Sequence, residues 1–97
     1  MIIDNQKLKD VEAFMSKLNN DMRERNITDF RIIKLRTDLK RMAIHRESIQ
    51  RSKDEKRIGK FNNLFVAKLG ELSKLMQTHG FSKRDDAAEL VRKMKAQ

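Results

Sequence analysis

The residues with the plainest chemical content are basic, and they crowd the middle of the chain. Between Arg31 and Lys60 there are 11 Lys or Arg against four acids, Asp38, Glu47, Asp54 and Glu55. That excess of seven positive charges is most of the +9 carried by all 97 residues. Ammonium and guanidinium groups at helical spacing can follow a phosphate backbone, and release of its counterions drives such binding. Lys34, Arg41, Arg51, Lys53, Lys56, Arg57 and Lys60 are the candidate phosphate contacts. Contacts of this type position a protein on DNA or RNA without reading its bases. The competing use of the same charge is a solvated face stitched by helical ion pairs such as Asp54–Arg57.

Other chemistry finds little support. Every aromatic is a phenylalanine, at 14, 30, 61, 65 and 81, and no Trp or Tyr offers a polar-edged platform for stacking bases. His45 and His79 are far apart, cysteine is absent, and no pair of histidines has metal-ligand spacing. No nucleophile–base set or glycine-rich phosphate loop can be argued from spacing. Asp85, Asp86 and Glu89 read as acids placed at a helix start. No catalytic residue, metal, cofactor or small-molecule substrate is therefore expected. The leading expectation is a non-enzymatic accessory or regulatory protein that binds nucleic acid. The alternative is a helical adaptor or inhibitor docking on an acidic protein.

Helices must position these groups. Charged residues make up 38% of the chain, there is no proline, and there are three glycines. Few turns and many Lys, Arg, Glu, Leu and Met indicate a single all-α domain over residues 1–97. No apolar run approaches a membrane span, and the opening residues do not resemble a signal peptide. A cytoplasmic protein that does not act at a membrane is expected.

Asp4 is a candidate N-cap for the first helix, Asn5 to Arg25. Leu8, Val11, Met15, Leu18 and Met22 recur at alternating three and four residues, a narrow seam suited to coiled-coil-like packing. Asn26 suits the left-handed residue that ends a helix. Thr28 is the expected cap of the second helix, which reaches Arg51, with Ile27 stapled onto Ile32. So short a joint predicts an antiparallel hairpin.

The second helix has two apolar faces. Ile32, Leu35, Leu39, Met42, Ala43 and Ile49 share one side. Phe30, Ile33 and Ile44 form another. One face should meet the rest of the chain and the other a second copy, making a homodimer with Phe30, Ile33 and Ile44 at its interface.

From Ile49 to the next apolar residue, Ile58, nine residues turn the helix by half a revolution. An unbroken helix from Asp29 to His79 would be about 76 Å long with its two main stripes on opposite sides. A break near Arg51–Lys53 is favoured, with Ser52 to Glu55 as a capping box. The third helix carries Ile58, Phe61, Leu64, Phe65, Leu69, Leu72, Leu75 and Met76 in one arc, with Val66 off it and Lys68 within it. His79 complements its C-terminal end, Gly80 stops it and Phe81 folds back. Ser82 caps a short fourth helix edged by Ala87, Leu90, Val91 and Met94. The third and fourth helices imitate a helix-turn-helix, but Asp85 and Asp86 would face phosphates. The expected architecture is a three-helix antiparallel bundle-like core with a short fourth helix appended.

Overall fold

The computed structural model describes residues 5–80 and 86–95. Those residues form four helices and no strand: α1 (Asn5–Glu24), α2 (Phe30–Arg51), α3 (Glu55–Thr78) and α4 (Asp86–Lys95). The readings of Asp4, Phe81, Ser82 and Asp85 fall outside the described residues.

α1 ends where its sequence says it should. Asn26 adopts a left-handed conformation, φ 53°. Its N–H donates to the carbonyl of Arg23, and the N–H of Ile27 donates to that of Met22. This pair satisfies two carbonyls that the helix would otherwise leave open.

The cap of α2 is Asp29, one residue later than expected. Asp29 is extended, and its carboxylate accepts the Arg31 N–H at 2.9 Å. The same carboxylate also meets the Arg31 guanidinium at 3.0 Å and the His79 ring at 2.7 Å. A hydroxyl at Thr28 offers no second acceptor oxygen for such a set. His79 therefore does more than end α3: it ties that end to the start of α2.

The break between α2 and α3 occurs at Ser52, Lys53 and Asp54. Lys53 takes the left-handed conformation, φ 53°, and its N–H donates to the Gln50 carbonyl. Asp54, not Ser52, caps α3, accepting from the N–H groups of Lys56 at 3.0 Å and Arg57 at 3.3 Å. Ser52 turns the other way and donates to the Ile49 carbonyl. The longest dimension of the molecule is 43 Å, too short for one continuous helix through both segments.

Side-chain hydrogen bonds show the chain directions. Asn5 meets Arg46 at 2.8 Å and Asn19 meets Arg36 at 2.6 Å, so α1 and α2 run in opposite senses. Asp29 meets His79 and Asp38 meets Lys68, so α2 and α3 do too. α3 packs between α2 and α4, and α4 closes back onto α1. The fourth helix is thus part of the core and not an appendage. Its Met94 is fully buried, alongside Phe65, Leu69 and Leu72 of α3, Ile32 and Leu39 of α2, and Val11 and Leu18 of α1. Phe61 and Phe65 stack within this core with ring centres 6.1 Å apart.

The position of α4 explains one correction on α3. Leu64 was expected inside and is exposed; Val66 was expected outside and is buried. A helix held between two neighbours buries a wider and rotated arc than one facing a single partner. Asn62 and Ser73 are buried on that arc as well.

Candidate nucleic-acid interface

Five of the seven candidate phosphate contacts gather at one pole of the molecule. Arg51 ends α2, Lys53 is the left-handed turn residue, and Lys56, Arg57 and Lys60 occupy the first turns of α3. All five are exposed. Lys56 and Lys60, four residues apart, share one side of the start of α3, with Arg57 beside them and Lys53 in the turn that precedes the helix. The turn geometry is what aims them outward, because Asp54 starts a new helix axis there.

The acids of this pole do not cancel that charge equally. Asp54 spends its carboxylate on the backbone N–H groups of α3. Glu55 is exposed in the first helical turn, where the helix dipole favours an anion. Glu47 lies 3.6 Å from Arg51, with both side chains largely in water. Exposed pairs of this kind hold their partners weakly.

Lys34 and Arg41 are exposed but stand apart from the cluster. At 1.5 Å per residue, Arg41 lies about 15 Å and Lys34 about 25 Å up α2 from Arg51. Lys34 instead borders a groove between α2 and α3, where Arg31, Asp38, Lys68, Glu71 and Lys74 mix both signs. Across it, the Lys68 ammonium donates to Asp38 at 3.0 Å, with both side chains about three-quarters buried. The lysine within the apolar arc of α3 therefore ends on a specific carboxylate.

Arg46 leaves the basic surface altogether. It is buried, and its guanidinium donates to Asn5 at the start of α1. Its spacing marks the position as internal, seven residues after Leu39, four after Met42 and three before Ile49 on the core-facing side of α2, although its charge does not.

At the opposite pole Asp29, Arg31 and His79 form a second polar cluster. The Arg31 guanidinium, then the His79 ring, hold the Asp29 carboxyl well below its ordinary value of 3.8. The same contact raises Arg31 further. Arg25 adds a bond from its guanidinium to the Gly80 carbonyl at 3.3 Å. These contacts fasten helix ends together.

The expected interface residues on the outer side of α2 are not covered by this chain. Phe30 is 80% exposed and Ile44 70% exposed, while Ile33 is half-buried. Among the described residues, no three His, Asp or Glu converge as a metal-binding group. No helix of the described residues is long and apolar enough to cross a membrane. No family model, curated protein or solved structure matches this chain.

Proposed function

We propose that this four-helix protein is a non-enzymatic accessory factor that binds nucleic acid by phosphate contacts at the α2–α3 turn. The observation that carries the reading is the exposed set Arg51, Lys53, Lys56, Arg57 and Lys60 around one turn, an excess of basic side chains over the acids Glu47, Asp54 and Glu55 beside them. Binding is mainly electrostatic, because the cluster is made of Lys and Arg side chains suited to phosphate contacts, which position a protein without reading bases. Arg41 and Lys34 extend the contact along α2 when the duplex lies against that side. The reading implies no cofactor and no small-molecule substrate.

A titration against duplex DNA and duplex RNA tests this. Both should bind at about 50 mM salt, and the affinity should fall steeply as salt rises, by about 0.9 logarithmic units of slope per B-DNA phosphate contact. Failure of both duplexes to bind at the lower salt would remove the proposal. The second reading, a module that docks on an acidic protein, is favoured by a separate observation, the bare apolar face of α2.

A further inference from the structure

Phe30, Ile33, Thr37 and Ile44 follow on α2 at three, seven and 14 residues from the first, along a strip of about 21 Å. Phe30 and Ile44 are the two most exposed large apolar side chains among the described residues. Beside the strip, α1 and α2 part to leave a groove of about 760 Å³ whose walls include Met15, Asn19, Arg36, Lys40, Ala43 and Ile44. Thr37 and Ile44 of the strip line this groove, so the exposed apolar face runs into a concave surface at that end.

The flanks of the strip decide what fits it. Arg36 and Lys40 stand on the α1 side, and Lys34 and Arg41 on the other. The acids nearby are fewer: Glu12 on the groove wall, Asp38 already bonded to Lys68, and Glu47 beside Arg51. A second copy matches the apolar spacing, since a two-fold axis at Thr37 sets Phe30 against Ile44 of the copy. It mismatches the charge. That arrangement brings Lys34 against Arg41 and Arg36 against Lys40 on both flanks, and a parallel pairing also sets bases against bases. Like charges on the flanks of a helix pair select against it.

We propose that the outward face of α2, with the adjoining α1–α2 groove, docks an acidic amphipathic helix of a partner protein. The partner helix places leucine-sized residues against Phe30, Ile33 and Ile44 and sets Asp or Glu beside Lys34, Arg36, Lys40 and Arg41. Helix-in-groove recognition of this type uses apolar anchors three, four and seven residues apart, with charges at the edges choosing partner and orientation. The inference does not rest on the nucleic-acid reading: the two surfaces share Lys34 and Arg41, but the apolar anchors Phe30, Ile33 and Ile44 lie apart from the basic cluster at the α2–α3 turn.

The test uses three designed peptides of about 21 residues titrated onto the full chain by fluorescence anisotropy. One has Leu at heptad core positions and Glu at the flanks, one has Lys in place of Glu, and one scrambles the acidic sequence. The acidic amphipathic peptide should bind at least tenfold more tightly than either of the others. Phe30→Ser with Ile44→Ser should weaken it at least tenfold while leaving the melting temperature and the affinity for duplex DNA unchanged. Lys40→Glu with Arg41→Glu should reverse the preference towards the Lys peptide. Equal binding of the scrambled peptide, or no binding of any peptide, overturns the proposal. So does a wild-type dimer in sedimentation that the Ser variant converts to monomer, since a second copy is then the occupant.

Discussion

Replacing Lys53 with glycine should stabilise the protein, and the sign of the change tests where the helical hairpin turns. Lys53 has φ 53°, in the left-handed region, and its side chain is exposed. For an L-residue that conformation costs about 1–2 kcal/mol relative to the right-handed one. Glycine removes the cost but adds about 0.4–1 kcal/mol of chain entropy to the unfolded state. The net gain is about 0.5–1 kcal/mol, which for a domain of this size raises Tm by about 2–8 °C. Asn26→Gly is the control, because Asn26 has the same φ. Asparagine tolerates the left-handed region better than lysine, so its gain should be the smaller of the two. Thermal melts followed by circular dichroism read both. If α2 and α3 instead formed one continuous helix in solution, glycine at 53 would sit in a helix interior and cost about 1 kcal/mol. A fall in Tm for Lys53→Gly would therefore refute the turn and, with it, the grouping of the five basic side chains.

Further perturbations address the core and the opposite pole. Phe65 is fully buried, so Phe65→Ala should cost about 3–5 kcal/mol in denaturant unfolding. Leu64→Ala, one position away but 52% exposed, should stay within about 0.5 kcal/mol of wild type. Equal losses would mean that the rotated face of α3 is misplaced. The depressed Asp29 carboxyl gives a pH signature. Its folded-state value lies below its ordinary 3.8, so its stabilisation is present above that value and fades as pH falls through the folded-state value. Asp29→Asn should therefore melt below wild type at pH 7, and the gap should shrink below about pH 4. A gap independent of pH down to acid unfolding would show that Asp29 acts as a cap alone.

Much of this architecture is legible in the residues. Of the seam Leu8, Val11, Met15, Leu18 and Met22, the last four are buried as the spacing predicts and Leu8 is half-buried against the core. The half-turn change of phase between Ile49 and Ile58 locates the break within a residue or two, although no glycine or proline marks it. The departures share a cause: local rules do not know which neighbour arrives from far along the chain. Asp29 outcompetes Thr28 as a cap because His79, 50 residues later, needs the same carboxylate. Leu64 and Val66 exchange places because α4 enters the core beside α3. Arg46 sits on the core-facing side of α2 by spacing, and what the fold adds is Asn5 at the start of α1 to accept from its guanidinium. The basic site follows the same pattern. Lys56, Arg57 and Lys60 group within the first turns of α3, near in sequence to Arg51 and the turn residue Lys53, and that much is readable from the sequence. The distance that separates Lys34 and Arg41 from them, and the capture of Asp38 by Lys68, depend on the fold.

The most direct measurement is the salt dependence of duplex DNA binding for two variants of equal charge. One changes Arg51, Lys53, Lys56, Arg57 and Lys60 to glutamine; the other changes the exposed Lys9, Lys17, Arg23, Arg92 and Lys93 to glutamine. If the turn is the contact, the first variant loses about 0.9 units of logarithmic slope for each phosphate contact removed. The second then keeps the wild-type slope. Equal losses of slope in the two variants would contradict the account, because binding would then follow total charge and not its place at the α2–α3 turn.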